Sequence, residues 1–118
     1  LDIHQMNPYL ILSGNKQGHS SVIDIRKENT MLYDHFREDG SINSIKWDYF
    51  TKNVLYSYYI ANEEGECSQW VIENNEQITI HSELSGNEQG LPIHQMIIKQ
   101  NTLYTASNII CQYQNISF

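Results

Sequence analysis

Acid–base and metal-binding side chains are plentiful in this chain, but few stand at spacings that chemistry can use. The densest carboxylate group is Glu63-Glu64, with Glu66 close by. Glycosidic chemistry needs two carboxylates held about 5–9.5 Å apart across a cleft. Neighbours in a glycine-containing loop, Ala61-Asn62-Glu63-Glu64-Gly65, read instead as a solvated hairpin tip. The same stretch lacks the alternating Asp/Asn ladder and glycine pivot of a calcium loop. The histidines, His4, His19, His35, His81 and His94, are scattered, which predicts structural hydrogen-bonding roles rather than a metal site. Cys67 and Cys111 have no second Cys or His at ligand spacing, and small buried roles are expected of both. Leu12-Ser13-Gly14 does not make a nucleophile elbow, and no glycine-rich phosphate loop is present. No catalytic residue, metal ligand or cofactor is therefore assigned. A hydrolase or lyase of propeller or β-sandwich type stays as an alternative. It would draw its acid and base from Asp48, Glu63, Glu64 and Glu83, and two of these would have to converge in one pocket.

The surplus in this sequence is aromatic. Tyr56, Tyr58 and Tyr59 cluster, with Tyr49 and Phe50 just before them. Tyrosine gives large rigid contact area with a polar tip, so it is favoured at protein interfaces. Tyr49 and Phe50 fall on a turn, where functional surfaces concentrate, and they are the candidate partner-binding residues. A small carbohydrate-binding β-module is a weaker alternative, and exposed coplanar Tyr or Trp rings would be its sign.

Charge and length exclude other classes. The 118 residues carry a formal net charge of −7, and the seven Lys and Arg are dispersed. Phosphate neutralisation needs clustered cations, so nucleic-acid binding through a basic face is disfavoured. No apolar run reaches the roughly 18 residues of a membrane span. Two cysteines make no disulfide framework, which predicts a reducing, intracellular setting, cytoplasmic or nuclear. A hydrophobic content of 40% is enough to build one packed domain.

The elements that would position these side chains are strands. Ile42–Trp47, Val54–Ile60, Cys67–Ile72 and Gln77–His81 are short, rich in β-branched and aromatic residues, and separated by polar turns. A flanking unit predicts strands at Leu1–Met6, Tyr9–Gly14, Ser20–Ile25 and Thr30–Phe36. A third predicts them at Ile93–Ile98, Thr102–Ala106 and Ile109–Tyr113. Asn115–Phe118 is too short for a convincing fourth strand there. No stretch has the capped 3.6-residue pattern of a helix. Landmarks recur about 45 residues apart. Ile3-His4-Gln5-Met6 echoes Ile93-His94-Gln95-Met96, with Ile42-Asn43-Ser44-Ile45 between them. Ser13, Ser57 and Thr105 form a hydroxyl series. Ile23-Asp24, Trp70-Val71 and Tyr113-Gln114 form a third.

These units resemble WD40 repeats. Ile45-Lys46-Trp47, Leu55-Tyr56-Ser57 and Trp70-Val71-Ile72 follow the signature of one repeat. Ser13 with Ile23-Asp24-Ile25-Arg26 follows another, in which Ile23 replaces the Trp and Asp24 survives. The resemblance covers nearly the whole chain, with departures. No Gly-His pair precedes a first strand, no third strand ends in a complete Trp-Asp pair, and the Asp between the second and third strands is missing. Of the family's Asp–His–Ser/Thr–Trp network only Ser57 and Trp70 carry over, while Trp47 and Asp24 count as further structural residues.

The resemblance implies an all-β fold of antiparallel four-stranded blades in a partial β-propeller ring. Blade 1 would span about 1–36, blade 2 about 42–81, and blade 3 about 92–118 without its outer strand. A small β-sandwich is the alternative. Rings of this kind have 4–8 blades, so three units imply a segment of a larger propeller, stopping after Tyr113 like a C-terminal portion. The function implied is a non-catalytic protein–protein interaction scaffold. Its partners would be other proteins, including the remainder of the propeller or a chain completing it.

Overall fold

Runs that alternate apolar and polar residues bury one side of a pleated strand, and β-branched and aromatic side chains favour that geometry. In the computed structural model, which describes residues 1–26, 30–36, 41–84, 92–99, 102–106 and 110–114, such runs form eleven strands. They are β1 (Asp2–Ile3), β2 (Leu10–Gly14), β3 (His19–Asp24), β4 (Thr30–Phe36), β5 (Ile42–Asp48), β6 (Tyr56–Asn62), β7 (Cys67–Ile72), β8 (Ile78–Leu84), β9 (Gln95–Lys99), β10 (Thr102–Ala106) and β11 (Ile110–Gln114). Every pairing is antiparallel, and the strands form three sheets in chain order: β1-β2-β3-β4, β5-β6-β7-β8 and β9-β10-β11. Among the described residues there is no helix, and so none long and apolar enough to cross a membrane.

The sheets stack in sequence, with β5 packed on β2 and β9 packed on β5. One core lies between the first two sheets: Leu10, Leu12 and Val22 meet Ile45, Trp47, Tyr58, Ile60, Trp70 and Ile72. A second lies between the middle and last sheets, where Tyr59, Ala61 and Cys67 meet Ile93, Met96 and Leu103. Full burial of a large apolar side chain contributes about 1.5–3 kcal/mol. The middle sheet is therefore covered on both faces, and all six residues of β7 are buried.

The first two sheets repeat one another in detail. Both second-to-third-strand hairpins use the same five-residue pattern, Asn15-Lys16-Gln17-Gly18-His19 and Asn62-Glu63-Glu64-Gly65-Glu66. In each, the Asn Oδ1 accepts two backbone N–H groups, those of Gln17 and His19 and those of Glu64 and Glu66. Each glycine takes a left-handed backbone, with φ 94° at Gly18 and 79° at Gly65, a region that costs a residue with a Cβ more. The ladder to the outer strand shifts at matching places, between Val22 and Ile23 and between Gln69 and Trp70. Such bulges raise local twist.

The joints between sheets repeat as well. The Asn15 carbonyl accepts the Ile42 N–H at 3.0 Å, and the Asn62 carbonyl accepts the Ile93 N–H at 3.1 Å. Gly14 and Ala61, each just before its turn Asn, are the small residues beside these isoleucines.

These joints correct the internal alignment expected from the sequence. Ile93 matches Ile42, because each enters the first strand of its sheet by the same bond. Ile3 instead pairs with Ile11 at the end of β1, so the two Ile-His-Gln-Met runs are not equivalent. His4 and His94 accordingly occupy different places. Ser13 and Ser57 differ too, since Ser13 sits one residue from the end of β2 and Ser57 one residue from the start of β6. The first strand, expected over Leu1–Met6, stops at Ile3, because His4 and Asn7 turn the chain with their side chains. Asp48, expected in a turn, closes β5. Thr30–Phe36, Cys67–Ile72 and Thr102–Ala106 form as expected. Asn115–Phe118 lies outside the described residues.

Candidate interaction site

Tyr49, Phe50 and Thr51 leave the end of β5, and a buried polar group beneath them holds the turn. Asp48 is 5% exposed. One of its carboxylate oxygens accepts the Phe50 N–H at 2.9 Å, and the other accepts the Thr51 hydroxyl. The Gln69 side-chain amide, on β7, donates to Thr51 Oγ1 at 2.8 Å and lies 3.4 Å from both Asp48 Oδ2 and Ser57 Oγ. Strand register brings these groups together: Asp48 faces Ser57 and Tyr59 faces Gln69, so their side chains share one face of the middle sheet. Buried polar groups of this sort must be hydrogen-bonded, and a satisfied network rigidifies what it holds.

The same turn is fastened to the first strand. The Trp47 N–H donates to Asp2 Oδ2 at 2.9 Å, and its indole Nε1–H donates to the Asp2 carbonyl at 3.0 Å. The Gln5 N–H donates to the Tyr49 hydroxyl at 3.0 Å. His4 stands edge-on to Trp47, Tyr49 and Tyr56, with ring centroids 4.9, 5.0 and 5.7 Å away. Burial pushes the Tyr49 hydroxyl above its ordinary pKa.

Between this turn and β9 lies an open cleft of about 310 Å³. Tyr49 and Phe50 line it together with Asp2, Gln5, Lys46 and Trp47, and with Met96, Ile97 and Ile98 from the last sheet. Tyr49 and Phe50 are half-buried, while Ile97 is 60% exposed. The lining combines aromatic and aliphatic side chains with a few polar groups, the usual make-up of a binding pocket.

The remaining sequence-nominated residues are structural in position. Trp47 and Trp70 are buried in one core, and the Trp70 Nε1–H donates to Ser68 Oγ at 2.9 Å. Ser57 faces Val71, one register step from the Tyr58–Trp70 pair, so Ser57 and Trp70 point to opposite faces of the sheet. The network carried over to that pair is thus not formed, and Gln69 takes the place beside Ser57. Asp24, 3% exposed, closes β3 and makes a two-pronged ion pair with Arg26, at 2.8 and 3.1 Å. The Arg26 guanidinium stacks 4.6 Å over the Tyr9 ring.

The carboxylates nominated for acid–base work are dispersed. Asp48 lies at one end of the middle sheet, and Glu63 and Glu64 are exposed on the hairpin at the other. The Glu83 side chain lies outside the described residues. Among the described residues no group of three His, Cys, Asp or Glu could hold a metal ion. No family model matches this sequence, and no curated protein matches it either.

Proposed function

We propose that this chain is a non-catalytic protein–protein interaction module, part of a larger WD40-like propeller, that takes a partner through the Tyr49–Phe50 cleft. The observation carrying the reading is that two half-exposed aromatic residues stand on a turn pinned by a buried network. Rigid aromatic anchors lose little entropy on binding, and anchors of this type dominate interface energetics. The propeller part of the proposal is supported by sheets that stack in chain order and by a joint that recurs from sheet to sheet. On the third sheet Ala106 holds the place of Gly14 and Ala61 at the end of its strand, a seat suited to a further sheet. A buried free Cys67 fits an intracellular setting, cytoplasmic or nuclear.

A photo-crosslinking residue at Phe50 tests this reading. It should yield one defined protein adduct, weakened in a Tyr49→Ala background, whereas the same probe at Gln17 on the opposite hairpin should not. Equal capture from both positions would dismiss the cleft as the site. Native mass measurement of the assembled protein tests the ring.

A further inference from the structure

His4 carries more than packing. Its Nδ1 accepts the backbone N–H groups of both Met6 and Asn7, each at 3.2 Å, so the neutral ring must hold its proton on Nε2. Those two bonds fold residues 4–7 into the turn that presents the Gln5 N–H to the Tyr49 hydroxyl. Asn7 Oδ1 accepts the Tyr9 N–H at 3.3 Å and extends the same turn. Asp2 and Gln5 line the cleft, and His4 itself lines a second hollow of about 240 Å³ that Tyr49 also borders.

A proton added to Nδ1 converts an acceptor into a donor that confronts two donors. Both bonds are then lost at once, and a positive charge is left against two N–H dipoles. The titratable and charged groups around the ring are few. Asp2, on the strand before it, is the carboxylate that favours the charged ring. Tyr49 and Tyr56 pack their rings against His4. Asp48 lines the second hollow, but its oxygens are engaged by Phe50, Thr51 and Gln69. Lys46 lines the cleft as well. Burial outweighs Asp2 and holds the His4 pKa below the ordinary 6.5.

We infer that His4 is a pH-operated latch: its protonation releases residues 4–7, frees the Tyr49 hydroxyl from Gln5 and loosens one wall of the cleft. The Asp2–Trp47 bonds do not depend on Nδ1, so β1 stays in place while the strap after it opens. Partner capture through Tyr49 would then weaken in mildly acidic conditions. The device stands whether or not the cleft proves to be the partner site, because its parts are intramolecular.

Two-dimensional NMR of the protein between pH 7.5 and 5.0 tests it without a partner. The amide signals of Gln5, Met6 and Asn7 should move together with the His4 ring, at a midpoint below 6.5. The latched fraction should fall about tenfold per pH unit beyond that midpoint. In His4→Asn, whose amide oxygen can accept the same N–H groups but does not titrate, the step should vanish. If the Met6 and Asn7 amides stay fixed while the wild-type His4 ring titrates, the latch is disproved, with no variant needed. The same step persisting in His4→Asn would also overturn it.

Discussion

Gly14 on β2 and Ile42 on β5 approach so closely that a Cβ at Gly14 would lie 2.6 Å from Ile42 Cγ2 and 3.3 Å from Ile42 Cβ. The bond from the Ile42 N–H to the Asn15 carbonyl fixes the approach, so neither strand can retreat freely. Gly14→Ala should therefore destabilise by about 1–3 kcal/mol, as overpacking of a tight joint does. Denaturant melts of Gly14→Ala, Ile42→Ala and the double variant check it. The double variant should lose less than the two singles together, whereas strict additivity would mean that the residues do not press on each other.

Trp70 and Phe50 should separate stability from binding. Trp70 is buried with a bonded indole, and Trp70→Ala should lose about 3–5 kcal/mol. Phe50 contributes its backbone N–H to the Asp48 network, which an alanine retains, so Phe50→Ala should stay within about 0.5 kcal/mol. Tyr49→Ala should fall between them, because it strands the Gln5 N–H. Thermal melts read the order directly, and a Phe50→Ala loss matching that of Trp70→Ala would place Phe50 in the core.

Gln69→Leu leaves Thr51 and Ser57 without the amide that joins them, inside a covered sheet face. Unsatisfied buried partners make a loss of about 1–3 kcal/mol the expected outcome. Hydrogen exchange at Thr51 should quicken more than at β10 amides. Uniform quickening would show that the network stabilises the whole domain and does not pin the turn.

The Tyr59 hydroxyl is fully buried and has no hydrogen-bond partner among the described residues. Burial raises its pKa, with Asp48 and Cys67 adding to the effect, so it stays neutral throughout the accessible pH range. Removing an unpartnered hydroxyl takes away a desolvation penalty. Tyr59→Phe should then be neutral or more stable by up to about 1 kcal/mol. A clear loss of stability in chemical denaturation would reveal a partner for that oxygen.

His4 sets a direction for the pH dependence of folding. Its folded-state pKa is lowered by burial, so below 6.5 the unfolded chain binds the extra proton more readily. Its contribution is fully present above 6.5 and is lost as the pH falls from there through the folded-state value. Denaturation midpoints at pH 7.5, 6.0 and 5.0 should drop more steeply for the wild type than for His4→Asn. Parallel slopes would assign the acid sensitivity to other groups.

Strand type and order were legible because alternation between apolar and polar residues is imposed by one-sided burial, and Thr30–Phe36, Cys67–Ile72 and Thr102–Ala106 met it cleanly. Letter identity misleads the alignment of units, because register is set by geometry. Ile-His-Gln-Met leaves a first strand at Ile3 and enters another at Gln95, and four shared letters carry no register. The Ser57–Trp70 pairing failed for a related reason, since a shift of one residue along a strand reverses the face. The true period lay in the turns: Asn15…Gly18 and Asn62…Gly65 share spacing and chemistry, a signal that could have set the alignment. Residue type and turn position point to Tyr49 and Phe50, but the cleft beside them depends on β9, far along the chain. The role of His4 had no sequence signal, because it arises from one lone pair shared by two backbone donors.

Because β7 has no side open to water, it serves as a common wall for two interiors. A substitution there is sensed by neighbours on both flanks, and neither outer sheet can rearrange its packing independently of the other. The three sheets should therefore melt as one unit, and tolerated sequence drift should gather at the hairpin tips and not along this wall.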